Sequence, residues 1–391
     1  MQYQLNADQQ AFYDEVEAYV AAHLPQEVAA QVKRGAPVDR EGLRSWTQAL
    51  HARGWSAPSW PEAFGGPGWN LVERHIFDVV LRAAHAPPLN GASFNMVGPA
   101  ICKYGSKAMQ EAFLPKILSG EINFCQGYSE PQAGSDLASL QCRAERDGDD
   151  YVVNGQKIWT SGAEDADWIF ILVRTNTEVQ QQKGISFLLL PLDSPGVSVL
   201  PLYAFNGKRL WNQVFFEDVR VPQDQRLGAE DQGWTVAKSL LGDERLFVSR
   251  VAENKRILSV LRETVTEMTA LGVELPVGIG RDINEIDVRL NALEMTSLRI
   301  LTEADAGGDI VAEPSMLKLK GSQLIQDQDE ILFRLIDYLA LPLDGTHTAL
   351  PPIASFAEYI ASGRYHHRGY TIAGGSSEIQ QNIIAKQVLN L

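Results

Sequence analysis

Two stretches of this chain hold residues whose types and spacing could do chemistry. The first is AKSLLGDERLFVSRV, residues 237–251. On a helix, the face that holds Glu244 also holds Ala237, Leu240, Leu241, Phe247, Val248 and Val251, because steps of three, four and seven return to one side. A carboxylate in an apolar stripe is desolvated. Desolvation raises its pKa from about 4.3 toward the ~6 to 7 that suits a general base near neutral pH. The same pattern is met by a structural Glu244 paired with an arginine or lysine of a neighbouring helix. Asp243 and Arg245 fall off this face and read as polar-rim residues.

The second stretch is AGGSSEIQQN, residues 373–382. Gly374, Gly375, Ser376 and Ser377 stand directly before Ile379, Ile383, Ile384 and Val388, which keep helical spacing, so the free N–H groups of that helix start can meet phosphate or other anionic oxygens. Glu378, in the first turn, suits the helix dipole better than it suits chemistry. Other chemistries lack their residues. GIGRDI from Gly278 has Ile283 where a third glycine should stand, and GPGWNL from Gly66 ends in Leu71, so neither reads as a dinucleotide loop. The neighbouring His366 and His367 would point about 100° apart on a helix, which is poor ligand geometry.

The elements that must carry these residues show three textures. From Asn6 to about Gly120, apolar residues recur at three and four (Phe12, Val16, Tyr19, Val20; Ile76, Val79, Val80), which predicts amphipathic helices broken at PEAFGGPGWN and HAPPLN. Near Phe124 the pattern turns to short β-prone runs: DWIFILVR, GISFLLLPL, GVSVLPL and NQVFFEDVRVP. In DYVVNGQKIW, Asn154-Gly155 between two such runs predicts a hairpin turn. Helical spacing returns at about Trp234, interrupted at LGVELPVGIG and LPLDGTHTALPPI. The expectation is an α+β protein of several domains: an N-terminal helical domain over 1–121, a middle β-barrel-like domain over 122–228 and a C-terminal helical bundle over 229–391.

Composition narrows the partners. The 391 residues are 45% hydrophobic and 21% charged, enough for a full-sized core. With 34 Lys+Arg against 49 Asp+Glu the net charge is -15, which argues against nucleic acid or an anionic membrane as partner. The opening MQYQLNADQQ lacks the basic and apolar regions of a targeting peptide, and no apolar run approaches the ~20 residues of a membrane span. Cys102, Cys125 and Cys142 are odd in number and without C-x-x-C spacing, which predicts reduced thiols and a cytoplasmic protein.

Two longer motifs add a resemblance. QGYSEPQAGSDLAS, Gln126 to Ser139, and GQKIWTSGAEDADW, from Gly155, resemble the Ser/Thr-Glu-Pro-x-x-Gly-Ser-Asp and Lys-x-Trp signatures of the acyl-CoA dehydrogenase family, and the likeness extends over essentially the whole chain. It implies an FAD enzyme in which a glutamate removes the α proton of an acyl-CoA thioester while hydride leaves the β carbon. Electrons then pass to an electron-transfer flavoprotein. By motif position it implies that Gly127, Tyr128, Ser129, Gly134 and Ser135 meet the flavin, Ser135 also lying at the thioester. Trp159, Thr160 and Ser161 would cover the far side of the ring, with Gly375, Ser376 and Glu378 near its ribityl and phosphate oxygens. Trp159 also reads as a core residue of the β domain.

In many members the base precedes a Gly-Thr or Gly-Ser pair, where this chain has Gly374. A second subgroup, similar to isovaleryl-CoA dehydrogenase, carries its base in a Glu-Arg pair on an early helix of the C-terminal domain, where Glu244-Arg245 stands. The resemblance therefore implies Glu244 as base, Arg245 as a residue ordering the substrate pocket, and the Gly374 backbone N–H as a donor to the thioester oxygen. LLGDER, DYLALP and GGSSEIQQNIIAK look similar to large-subunit pimeloyl-CoA dehydrogenases, hinting at a medium-length, branched, dicarboxylic or ring-bearing acyl group. The usual Arg-x-x-Phe-Gly and Gln-x-x-Gly-Gly-x-Gly segments are replaced by ELPVGIGRDINEID and DYLALPLDGTHTALPP. A homodimer or homotetramer is implied. The replaced segments also admit a hetero-oligomer in which this chain is a non-catalytic partner of a homologous subunit, and a flavin oxidase or monooxygenase shares the fold.

Overall fold

The computed structural model describes residues 5–245, 249–337 and 363–391, with the side chains of 241–245 outside that description. Helices α1 (Ala7–His23), α2 (Gln26–Lys33), α3 (Arg40–Arg53), α4 (Leu71–Ala83), α5 (Gly98–Tyr104) and α6 (Lys107–Leu118) come first. Asn6 with Gln9 and Asn70 with Glu73 form reciprocal capping boxes that start α1 and α4. A π-turn, Ala92–Val97, leads into α5. There a Cβ on Gly98 would come within 2.0 Å of the Trp60 ring, so only glycine lets the indole reach the Phe94 carbonyl at 2.7 Å.

Seven strands follow: β1 (Phe124–Gly127), β2 (Arg143–Asp147), β3 (Asp150–Thr160), β4 (Trp168–Arg174), β5 (Ile185–Pro191), β6 (Val197–Tyr203) and β7 (Arg209–Pro222). They form one sheet in the order β1-β4-β2-β3-β7-β6, with β5 pairing β4. β4 and β5 are buried almost end to end, which is why DWIFILVR and GISFLLLPL read as near-continuous apolar runs.

The Asn154-Gly155 hairpin does not form. β3 runs straight through it, and the turn lies earlier, at Gly148 and Asp149, where Asp147 pairs with Asp150. Asn-Gly instead makes a bulge against β7, with a register shift between Val153 and Gly155. Gly155 sits at φ 142°, with room for no more than a hydrogen: a Cβ would lie 2.7 Å from the Cys142 Cα. The Asn154 amide reaches Asp218 across the bulge, giving 2.9 Å to its carboxylate and accepting its N–H at 3.0 Å.

Helices α7 (Gly233–Arg245), α8 (Val251–Ala270), α9 (Ile279–Asp305), α10 (Glu313–Ile336) and α11 (Ser377–Val388) build the last part. One core joins α5, α6, the inner sheet face and the first turns of α7 through Phe113, Phe124, Phe170, Phe187, Val236 and Leu240. Another joins α1, α3 and α4 to Leu298 and Leu301 of α9. The first helical block is thus packed to the sheet through one core, and to the last helices through α4, which meets α8 and α9. Among the described residues no helix is long and apolar enough to cross a membrane. The three thiols are free, and burial pushes Cys102 up to about 12 and Cys142 up to about 11, leaving them poor nucleophiles.

Candidate active site

The Ser-Glu-Pro loop leaves the end of β1 at Gly127. A Cβ on Gly127 would lie 2.7 Å from Ile171 and 3.2 Å from the Lys157 stem, so the strand end packs flat on its neighbours. Tyr128 is buried edge-on to Phe170 and Phe187. Ser129 accepts the Ile158 N–H at 2.9 Å, stitching the loop to β3.

Glu130 then turns inward. Its carboxylate accepts from Lys157 Nζ at 2.7 Å, from the Gln141 and Cys142 N–H groups at 2.7 and 2.9 Å, and from Gln132 Nε2 at 2.9 Å. Lys157, wholly buried, also donates to the Tyr128 carbonyl at 3.1 Å. A buried ion pair stabilises only when the other lone pairs and protons are met; here the carboxylate accepts four bonds and the ammonium donates two. Its effect is positional: Gly134 and Ser135 stand exposed directly after the turn that Glu130 and Ala133 close with two 3.0 Å backbone bonds. The sequence singled out the two motifs, yet not this clamp; a glutamate and a lysine inside β-prone motifs were its available signal.

Two residues beyond Lys157, strand alternation breaks. Trp159 sits at φ 61° and the ladder to β7 shifts register between Lys157 and Thr160. This re-aims the indole: Trp159 is 58% exposed, so it is not part of the β-domain core. It stands edge-on to Trp211, 5.7 Å between centroids. Thr160 beside it is fully buried with its hydroxyl unpartnered among the described residues, and Ser161 is exposed. An outward indole next to an orphaned hydroxyl fits a planar ring with a polar edge.

From Trp211 the contacts continue into the C-terminal segment. The His366 ring stacks on Trp211 at 6.1 Å and meets Tyr370 at 5.3 Å. Burial, with His367 and Arg250 nearby, lowers the His366 pKa to about 4, so it is neutral at physiological pH. His367 is pinned to Asp329 of α10 at 2.9 Å, which makes this second histidine structural. Gly374 and Gly375 follow at φ 68° and 87°. Lys318 of α10 donates to the Gly375 carbonyl at 2.8 Å, and the Ser376 hydroxyl caps α11. Glu378 is exposed, and its carboxyl is held below the usual range by its own backbone N–H and by Ser376, as suits a helix start.

The structure therefore gathers Gly127, Tyr128, Ser129 and Trp159 to Ser161 on β1 and β3, and Gly374 to Glu378 at the start of α11, with Trp211 and His366 between the groups. Glu244 and Arg245 lie in the last turn of α7; their side chains fall outside the described residues, as do Phe247, Val248 and all of the DYLALPLDGTHTALPP segment after Asp337. Val236, Ala237 and Leu240 of α7 are buried, in keeping with an inward apolar face. Val251 does not share the helix of Glu244: Arg250 sits at φ 52°, and Val251 opens α8. Trp211, Arg250 and the charged residues of α4 and α8 carried no sequence signal, since only the fold brings them here.

Three family profiles cover the chain: "Acyl-CoA dehydrogenase, N-terminal domain" over residues 6–121, "middle domain" over 125–219 and "C-terminal domain" over 231–389. The chain is 36% identical to the acyl-CoA dehydrogenase IpdE1 of Mycobacterium tuberculosis, over 98% of both chains. Among solved structures, the Tcur3481-Tcur3483 steroid ACAD matches with a TM-score of 0.87 at 29% identity, over 100% of this chain and 99% of that one. The ChsE4-ChsE5 complex from Mycobacterium tuberculosis matches with a TM-score of 0.83, also at 29% identity, over 100% and 99%. Members of this family are FAD flavoproteins that dehydrogenate acyl-CoA thioesters. With all three domains matched in order, this chain is an oxidoreductase that belongs to the acyl-CoA dehydrogenase family.

Proposed function

We propose that this protein is an FAD-dependent α,β-dehydrogenase of acyl-CoA thioesters, with Glu244 as the base, and that its electrons leave through an electron-transfer flavoprotein. The observation that carries this reading is the buried Glu130–Lys157 clamp, which ties the Ser-Glu-Pro loop to β3 while Trp159 is turned outward. Bound FAD would supply the hydride acceptor. Ser129, Thr160 and Ser161 would hold the polar edge of its ring and Trp159 one face, with Ser376 and the start of α11 toward its phosphates. Ser135 would stand where ring and thioester meet, with Gly127, Tyr128 and Gly134 shaping the loop and Gly375 freeing the backbone beside the ribityl chain.

Glu244 would take the α proton, its basicity raised by the apolar face of α7. The Gly374 N–H would donate to the thioester oxygen as enolate charge develops, a role open to a residue without a side chain at φ 68°. Arg245 would order the pocket wall behind the base. The test is anaerobic flavin bleaching by acyl-CoA thioesters. Wild type should bleach, and Glu244→Gln should keep its yellow colour without bleaching; a Glu244→Gln enzyme with full activity would remove Glu244 from this role.

A hetero-oligomer is the second reading, favoured by the replaced Arg-x-x-Phe-Gly and Gln-x-x-Gly-Gly segments and by two similar structures whose titles join two chains. The chain purified alone should then hold little flavin and gain it with a homologous partner. A yellow, active homo-oligomer would exclude this. By analogy with the solved structure titled a steroid ACAD, the acyl group is proposed to be ring-bearing.

A further inference from the structure

The wall between α4 and α8 carries charge where a hydrocarbon chain would want none. Asp78 and Arg82 project from α4 one turn apart, with Arg82 Nε 3.8 Å from the Asp78 carboxylate and Nη1 3.7 Å from Glu253 of α8. Glu253 is already committed to Arg256 at 2.8 Å, so Arg82 is held by long contacts only. Asp78 is half accessible to solvent, yet burial raises its carboxyl above the usual range. Arg82, Glu253 and Arg250 all lie close enough to act on its charge, so four charged groups cluster at the seam of α4 and α8.

Arg250 joins this cluster from the N-cap of α8. Its guanidinium lies 4.0 Å over the Tyr370 ring and, among the described residues, makes no ion pair. Its backbone is held at φ 52° with no side-chain cap on α8 to offset the strain, about 1 to 2 kcal/mol for a residue with a Cβ. Strain retained at one position marks a side chain that must point a particular way. Arg250 follows Glu244 by six residues and Tyr370 precedes Gly374 by four, so this stacked pair joins the two segments assigned above to the base and the thioester oxygen. An acyl group entering there would meet Arg250. A hydrocarbon end would strip water from the guanidinium and return nothing, whereas an acceptor oxygen would be matched.

Resting on the dehydrogenase reading, we infer that the cluster of Asp78, Arg82, Glu253, Arg250 and Tyr370 selects acyl groups bearing an acceptor oxygen at their far end, a ketone or a carboxylate, with Arg250 as the donor. The test uses the full chain loaded with FAD and three acyl-CoA thioesters of equal length, ending in hydrocarbon, ketone or carboxylate. At least one oxygen-bearing thioester should exceed the hydrocarbon about tenfold in kcat/KM for flavin reduction, and its identity separates the two sources. Arg250→Met should cost that substrate on the order of 10- to 100-fold, carried by KM, the equivalent of a hydrogen bond to a charged group, with a markedly smaller loss on the hydrocarbon. Arg82→Gln should move selectivity in the same direction by less, and unchanged melting temperatures exclude misfolding. Calorimetric binding of the same thioesters reads the cluster without turnover. Preferential binding without bleaching would sink the dehydrogenation reading and leave the cluster's role standing. Equal binding of all three by wild type, or equal losses in Arg250→Met, would overturn that role.

Discussion

The two sides of the candidate site treat charge in opposite ways. On the sheet side, Glu130 and Lys157 are buried and every contact is short, between 2.7 and 3.1 Å, with backbone and side-chain partners completing the pair. On the helical side, Arg82 reaches its carboxylates at 3.7 and 3.8 Å, Arg250 rests on an aromatic face at a strained backbone position, and His366 stays neutral with an unpartnered Nδ1 among the described residues. A satisfied network rigidifies the structure and holds one geometry. Groups left short of partners keep their capacity for something that arrives. The contrast separates the side that positions a cofactor from the side that meets a variable substrate.

The sharpest way to break this contrast is at the base. Glu244→Gln should lower kcat about 10²- to 10⁴-fold, the usual worth of general acid–base catalysis, while flavin content is unchanged by absorbance. Next comes the clamp. Lys157→Met leaves the Glu130 carboxylate buried without its cation and should cost about 3 to 5 kcal/mol in denaturant unfolding, with flavin lost as the Ser-Glu-Pro loop loosens. Retention of full stability and full flavin would mean the clamp positions nothing.

Smaller effects sharpen the helical side. The folded pKa of His366 is lowered to about 4 from an ordinary 6.5, so the unfolded chain takes up this proton first as pH falls. Its stabilising share is fully present above pH ~6.5 and is lost on acidification toward pH ~4, amounting to no more than about 3 kcal/mol. His366→Phe should flatten the melting temperature over that window. Glu253 titrates lower: burial pushes it up, but Arg256 and Arg82 more than offset this and bring it to about 2. Its share is present above pH ~4.5 and disappears toward pH ~2, so Glu253→Gln should soften acid unfolding only there. Smallest, Gly155→Ala should cost roughly 1 to 3 kcal/mol in thermal unfolding, because the new Cβ meets the Cys142 backbone just before β2 at a φ that disfavours it.

Local signals carried the architecture. Helical spacing from Phe12 to Val80 and the apolar runs of β4 and β5 are properties of neighbouring residues, and they form the expected elements because burial of one face needs only periodicity. The Ser-Glu-Pro and Lys-x-Trp strings likewise marked the site, since their residues sit within a few positions of one another. Where a local signal had two outcomes, it misled. Asn154-Gly155 satisfies a hairpin turn and a bulge equally, and pairing of β3 with β7 along its length selected the bulge. The apolar stripe through Glu244 ran on to Val251, but Arg250 adopts a conformation that ends it.

By itself, then, the sequence determined the order of helices, strands and helices and the family motifs, because these depend on composition and short spacing. Tertiary structure alone decided that Glu130 and Lys157 neutralise each other, that Trp159 faces outward, and that Arg250, Tyr370, Asp78 and Glu253 cluster in one place. Those residues lie on separate elements as far apart in the chain as Asp78 and Tyr370. Their encounter is set by the packing of α4, α8 and the segment before α11, which leaves no trace in local spacing.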